Sequence, residues 1–158
     1  MKEETLRAFL DSCRLPAWDA LPDFGLYMDQ MLTYTDRSLP GAAGLPGLTS
    51  SMINNYVKAG LIDKPAGKKY SRGALAQLLM ICLLKQTSTL ENMKRLLHPE
   101  NGADTEAIYA SFLAAQDRVA ADLPGRLNSS PLTCALEASS LQLICRLQLA
   151  DAGKEAET

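Results

Sequence analysis

Apolar residues recur at intervals of three and four over most of the chain, and this spacing predicts a mainly helical protein. The first such segment predicts an amphipathic helix over 3–13. A second helix is expected to begin behind a cap at Asp23 and to run to about Thr35, because aspartate accepts hydrogen bonds from the free N–H groups of a first turn. Two prolines and three glycines in the ten residues 38–47 then predict a loop.

The middle of the chain carries the most closely spaced start and stop signals. A helix capped by Thr49 or Ser50 is predicted to end at Gly60, since glycine best adopts the left-handed conformation that follows a last turn. Residues 65–71, Pro-Ala-Gly-Lys-Lys-Tyr-Ser, predict a small basic β-hairpin and then the cap of a long, broadly apolar helix. The sequence Ser-Thr-Leu-Glu at 88–91 is typical of a capping box and predicts another helix.

The last third predicts two more helices and a polar tail. The first follows a cap at Asp104 or Thr105, and the second follows Ser130 with Pro131 at its first position. Taken in order, the elements predict a fold that is mainly all-α. It is a winged helix-turn-helix with a very short β-hairpin wing, followed by C-terminal helices. The predicted units are an N-terminal helical arm at 1–20, the winged helix-turn-helix at 21–98, a C-terminal helical hairpin at 99–150 and a disordered tail at 151–158.

Composition favours a globular chain over a disordered or membrane-spanning one. Hydrophobic residues make up 47% of the 158 residues and charged residues 22%, which is ordinary usage for a packed domain. No apolar run approaches the roughly 18 to 20 residues that cross a bilayer. Glu3 and Glu4 stand where a signal peptide carries a basic start. We therefore expect a soluble, cytoplasmic protein that does not contact membranes.

The residue types that carry most enzyme and metal chemistry are sparse. The four cysteines form no C-x-x-C pair, and His98 is the one histidine of the sequence, so neither a metal site nor a cofactor is expected. No phosphate-binding glycine motif and no serine nucleophile motif occurs. We expect no catalytic residues, and an enzyme is the least favoured interpretation.

Charge is distributed unevenly along the chain. The segment 50–98 carries a net charge of +6, whereas 1–49 carries −3 and 99–158 carries −5. A basic middle between acidic flanks indicates a polyanionic partner. The alternative is a lysine-rich surface that is simply solvated.

Several short motifs within 21–97 resemble a known DNA-binding domain. The segment MINNYVKAGLI at 52–62 is followed by Pro65, by Lys-Tyr-Ser at 69–71 and by a leucine-spaced helix. This succession resembles the N-terminal domain of MerR-type regulators, in which a recognition helix precedes a wing and a leucine-spaced helix. The stretch LTSSMINNYVKAGLI with its downstream KKYS resembles, more specifically, the domain-of-unknown-function family 1836.

The resemblance implies a DNA-binding fold, and residue chemistry indicates which side chains would make the contacts. Serine and asparagine carry donors and acceptors that read base edges, whereas lysine and arginine hold phosphates. The base contacts are predicted at Ser50, Ser51, Asn54 and Asn55. The phosphate contacts are predicted at Lys58, Lys68, Lys69 and Arg72. Each set also has a plainer interpretation, as exposed polar residues without a partner or as a solvated hairpin.

Two functional hypotheses follow. The first is a bacterial transcriptional regulator that binds double-stranded DNA as a homodimer. In this hypothesis the leucine-striped C-terminal helices form the dimerisation element. The alternative for these helices is that they cap the core within one chain. The second is a protein–protein interaction module on the same scaffold. It is motivated by Asn54, which stands where MerR-type proteins usually carry Arg, and by the acidic remainder of the chain. No feature of the sequence names a small-molecule effector.

Overall fold

The computed structural model describes residues 3–39, 47–99, 102–126 and 129–156. These ranges are mostly helical, as the sequence predicts, and short 3₁₀ turns occur at Trp18–Ala20 and Leu123–Arg126. The loop predicted at 38–47 lies largely outside the described residues. The α-helices of the described ranges are α1 (Glu3–Ser12), α2 (Met28–Ser38), α3 (Ser50–Lys58), α4 (Arg72–Leu84), α5 (Leu90–Leu97), α6 (Thr105–Asp122) and α7 (Pro131–Ala156).

Helix α4 forms the centre of the core. Every residue from Ala74 to Cys82 is buried, because α2, α5 and α6 all pack against this helix. A helix that is apolar on nearly all sides is stable in water only when it is covered on several of them. The broad leucine-rich pattern of this segment therefore correctly predicts a central helix.

The side chain of Gln77 is polar and is nevertheless buried within α4. Its Oε1 accepts a hydrogen bond from the backbone N–H of Asp63 at 2.8 Å, and its Nε2 lies 3.4 Å from the hydroxyl oxygen of Thr105. Both ends of the amide are therefore paired, as burial of such a group requires. Gln77 joins the segment after α3 and the start of α6 to the central helix.

Three helix caps stand where the sequence places them. Thr49 Oγ1 accepts from the N–H of Met52 at 3.2 Å, and Ser71 Oγ accepts from the N–H of Ala74 at 3.1 Å. Asp104 Oδ1 accepts from Ala107 N–H at 2.8 Å. Each cap satisfies an N–H that has no partner within its own helix.

Two other predicted helix starts are displaced. The second helix begins at Met28 and not behind Asp23, and its first turn is closed by Gln30, whose Oε1 accepts from the N–H of Tyr27 at 2.9 Å. The cap of α5 is Thr89, one residue after the serine of the predicted capping box. The α5 displacement lies between two neighbouring residues that can both cap, whereas α2 starts later because Leu26 pairs with Tyr70 and is therefore not helical.

The predicted β-hairpin is reduced to isolated bridges. Ala66 pairs with Lys69 across a tight turn, and Tyr70 pairs with Leu26, which the sequence placed inside the second helix. Gly67 occupies the turn with φ of +64°, a conformation that glycine adopts without strain. The turn at 65–70 is thus fastened to the residues just before α2.

The N-terminal arm and α6 are joined by direct polar contacts. Gln116 of α6 accepts from the N–H of Leu15 at 3.1 Å and donates to the carbonyl oxygen of Cys13 at 2.6 Å. Beside it, Arg14 forms an ion pair with Asp117 at 2.9 Å. Helix α6 therefore caps the core within one chain.

Helix α7 differs from the predicted C-terminal hairpin and tail. Its main contacts are with α5 rather than with α6, and Arg95 of α5 lies directly beside Gly153. The helix continues to Ala156, through most of the 151–158 segment that the sequence assigned to a disordered tail. None of the helices described in the four ranges is long and apolar enough to span a membrane.

Candidate nucleic-acid interface

Helix α3 presents a continuous polar face to solvent. Ile53 is fully buried, and Met52 and Tyr56 are half-buried, so these residues fix the inward side of the helix. The outward side carries the four predicted base contacts together with one predicted phosphate contact. These exposed residues are Ser50, Ser51, Asn54, Asn55 and Lys58. The spacing of one, four, five and eight residues explains why they share one face of a helix.

A groove of about 670 Å³ lies between the first turns of α2 and α3 and the turn at 65–70. Ser50 at the start of α3 and Lys68 at the turn both line it. Tyr27 and Asp29, at the start of α2, line it as well. The structure thus brings one predicted base contact and one predicted phosphate contact to the edges of the same groove.

The side chain of Lys69 packs against the residues just before α2. Its Nζ is 5.4 Å from the centroid of the Tyr27 ring, within range of a cation–π contact. Its aliphatic carbons pack against Gly25, where a Cβ would come within 2.9 Å of the Lys69 Cβ. The side chain remains exposed, and its charge is held at the rim of the groove.

Arg72 makes contacts that the sequence prediction did not include. Its guanidinium forms an ion pair with Asp23 at 3.5 Å, and its Cζ lies 5.7 Å from the centroid of the Trp18 ring. The Arg72 side chain is only 24% exposed. It joins the segment before α2 to the start of α4. The same ion pair accounts for Asp23, which the sequence assigned to a helix cap.

The structure also adds aromatic residues to this surface. Phe24 is 69% exposed, and Tyr27 is exposed beside the groove. The sequence predicted Tyr27 as a helix position, whereas the residue stands one position before the observed start of α2. The available signal was Gly25, because an isolated glycine costs about 1 kcal/mol relative to alanine within a helix and so weakens a helix prediction there.

His98 has a structural contact close to α3. Its Nε2 lies 3.0 Å from the carbonyl oxygen of Leu61. A carbonyl accepts and never donates, so Nε2 carries the proton in this contact. The histidine holds the chain where it leaves α3 and enters the 65–70 turn.

The buried thiol of Cys82 has little access to solvent. Burial raises the pKa of Cys82 to about 12; the neighbouring Lys85 acts in the opposite direction, and Asp36 adds to the rise. The side chain is therefore a neutral thiol at ordinary pH and behaves as a small apolar residue. Across the described ranges, no group of three or more His, Cys, Asp or Glu side chains is placed to hold a metal ion.

These features define a helical protein with a polar helix face and a lysine-bearing turn beside one groove. The family model described as Domain of unknown function (DUF1836) matches residues 16–112. The chain belongs to this family. The match contains α2 to α5 and the first part of α6, and it leaves out α1 and α7. Neither the curated proteins nor the solved structures contain a match to the chain.

Proposed function

We propose that the protein is a bacterial, cytoplasmic DNA-binding protein that acts as a transcriptional regulator. In this proposal α2 and α3 form a MerR-type helix-turn-helix, and the turn at 65–70 is its wing. The observation that supports it most is the groove lined by both Ser50 and Lys68. A recognition helix and a wing that border one groove are placed to follow a single duplex.

The outward face of α3 is the part that would enter the major groove. An α-helix with its side chains is about 10–12 Å across, which fits the roughly 12 Å width of that groove, and the nine residues of α3 extend over about 14 Å. Asn54 and Asn55 offer the paired donor and acceptor that match the N6 and N7 atoms of adenine. Ser50 and Ser51, at the first turn, would contact neighbouring bases or the backbone.

The lysines around this face would hold the phosphates. Lys58 lies at the end of α3, and Lys68 and Lys69 lie at the turn, all exposed. Arg72 is left out of this set because Asp23 and Trp18 already contact it. With three phosphate contacts per domain, the logarithm of the binding constant would fall with the logarithm of the salt concentration with a slope of about −3.

The test is the fluorescence anisotropy of a mixed-sequence duplex of about 30 base pairs, roughly three helical turns. Wild type and the double variant Lys68→Glu/Lys69→Glu are titrated at several salt concentrations. We expect salt-sensitive binding by wild type and its loss in the variant. The control is Arg118→Glu on α6, compared with the single variant Lys68→Glu so that each reverses one exposed charge; the Arg118 change should leave binding unchanged. Equal losses in both variants, or no binding by wild type at low salt, would contradict the proposal.

A second candidate is a protein–protein interaction module on the same scaffold. The exposed aromatic rings of Phe24 and Tyr27 favour it, because aromatic side chains are enriched at the centres of protein interfaces. The Asp29 carboxylate on the groove wall also favours a basic or neutral partner over a phosphate. This candidate predicts that binding of wild type to the duplex is negligible and does not vary with salt.

A further inference from the structure

Helix α7 carries most of the large apolar side chains that the described residues expose. Of the eleven such residues in the described ranges, six lie on this one helix. They are Leu132, Leu136, Leu141, Leu143, Ile144 and Leu147. Single exposed leucines are ordinary, whereas a contiguous apolar surface of this kind marks an interaction site.

Leu136, Leu143 and Leu147 lie opposite the side of α7 that touches the rest of the chain. Gln142, Cys145 and Leu149 are half-buried, and α7 makes its main contacts with α5. At 100° per residue, Leu136 and Leu143 point away from these three residues. The packing on α5 therefore leaves the leucine side of α7 uncovered.

Three of the six exposed apolar residues of α7 follow a heptad, and the other three fall at g, b and e positions. With Leu136 and Leu143 at d positions, Leu147 falls at an a position, and Ala150 continues the d series. The half-buried residues that face α5 fall at c and f positions, on the far side of the helix from the a/d seam. A seam of this type is covered most simply by another helix with the same repeat.

We propose that α7 pairs with α7 of a second copy of this chain as a parallel coiled coil. The charges beside the seam indicate a second copy. Arg146 falls at a g position and Asp151 at the e position five residues later. In a parallel pair, each g residue faces the e residue five positions on in its partner. Two equivalent attractive pairs, Arg146 with Asp151 of the second copy, then flank the seam.

The dimensions and symmetry of the helix fit this partner. Its 26 residues extend over about 39 Å, which is enough for more than three heptads. A two-fold pair buries the same surface on both copies and leaves no leucine seam exposed. Thr133, Ser140 and Lys154 at a positions make the seam partly polar, and polar a positions restrict register and the number of strands.

This inference is independent of the proposed DNA function. It rests on α7, which lies outside the segment 16–112 shared with the family. A protein that binds no DNA would still dimerise in this way. A protein that binds DNA would gain a second half-site contact from the same pairing.

Sedimentation velocity of the full chain at micromolar concentrations tests the pairing. Wild type is expected to sediment as a species of about twice the 17.1 kDa mass of one chain. Leu143→Glu places a charge in the seam and is expected to weaken self-association at least about tenfold. The matched control is Leu141→Glu, on the same helix, with 61% exposure against 58% for Leu143 but outside the a/d seam. Circular dichroism shows whether both variants stay folded.

Three results would overturn the proposal. The first is that wild type remains monomeric. The second is that the Leu141 and Leu143 substitutions weaken self-association equally. The third is that the dimer persists with either substitution. A second measurement checks the direction of the helices. In a Cys134→Ser background, Leu136→Cys is expected to form a disulfide between copies on oxidation, because identical d positions face each other in a parallel pair, whereas in a fully overlapping antiparallel pair position 136 lies opposite position 151. Failure to cross-link would contradict the parallel arrangement.

Discussion

The hydroxyl of Tyr109 on α6 donates a hydrogen bond to the carbonyl oxygen of Pro16 across 2.7 Å. The two residues lie near opposite ends of the segment 16–112 that matches the family. Tyr109 is fully buried, and its ring centroid lies 5.9 Å from that of Trp18. Burial raises the pKa of the Tyr109 hydroxyl, and the nearby Tyr34 adds to the rise. The hydroxyl therefore remains a proton donor to Pro16 over the whole ordinary pH range.

Replacement of Tyr109 by phenylalanine tests this contact. The Tyr109→Phe variant keeps the ring and loses only the hydroxyl, so the Pro16 carbonyl is left without its partner. We expect the free energy of unfolding to fall by about 1–2 kcal/mol, measured by urea denaturation. The control is Tyr34→Phe, since Tyr34 is only half-buried. A Tyr109 variant as stable as wild type would show that the contact contributes nothing.

Gln77 is expected to be the most sensitive polar position of the core. Gln77→Met preserves length and removes both hydrogen bonds, leaving the N–H of Asp63 unpaired. We expect a loss of about 1–3 kcal/mol of stability. Hydrogen exchange should also report faster exchange of the Asp63 amide. Gln86→Met, at an exposed site just after α4, is the matched control and should change neither quantity.

Gly25 is expected to accept no side chain. A Cβ there would lie 2.9 Å from the Lys69 Cβ, so Gly25→Ala must displace the chain that bridges Leu26 and Tyr70. Overpacking of this kind costs about 1–3 kcal/mol. Thermal unfolding measures the loss. Gly47→Ala supplies the comparison, because a methyl group added at Gly47 would have no atom within 4 Å, and the melting temperature of this variant should not fall.

Alkaline pH is expected to destabilise the protein through Cys82. The thiol has an ordinary pKa of 9.0, and burial raises it to about 12 in the folded chain. Between these values the unfolded chain releases a proton that the folded chain retains, so stability is fully present below pH 9.0 and falls as pH rises. The slope approaches about 1.4 kcal/mol per pH unit.

Chemical denaturation at a series of pH values measures this slope. Cys82→Ala should flatten it, whereas Cys134→Ala, at an exposed site on α7, should leave it unchanged. Burial also raises the pKa of Tyr109 and of Tyr56 above the ordinary 10.0, so the flattening in the Cys82 variant is expected between pH 9.0 and 10.0, and a decline remains at higher pH. Identical slopes for both cysteine variants would rule out the assignment to Cys82.

The proposed division between base and phosphate contacts predicts different effects on specificity. On a duplex selected for tight binding, Asn54→Ala should cost about 1–3 kcal/mol of affinity while leaving mixed-sequence binding unchanged. Lys58→Ala should weaken binding to both duplexes alike and make the salt slope about 1 unit shallower. Parallel anisotropy titrations of the two duplexes separate these outcomes. Loss of both affinities in the Asn54 variant would contradict a base-reading role.

Local signals determined much of the fold. Thr49, Ser71 and Asp104 cap their helices through residues three positions ahead, so each cap depends only on a few neighbouring residues. The end of α3 at Gly60 is equally local, since its φ of +72° suits glycine better than any other common residue. Amphipathic spacing likewise indicated which side of α3 is buried, and hence that Asn54 and Asn55 face solvent.

Contacts between distant parts of the chain followed from packing and had no local signature. Arg72 looked available for a phosphate in the sequence, yet Asp23, far away along the chain, lies beside its guanidinium. Tyr109 and Pro16 meet only because α6 folds back over the core. For α7 the leucine spacing predicted a helix with an apolar side, but spacing specifies a face and not what covers it. Which helix packs on that apolar face depends on the tertiary and quaternary structure, and within one chain α5 packs on the other side of α7.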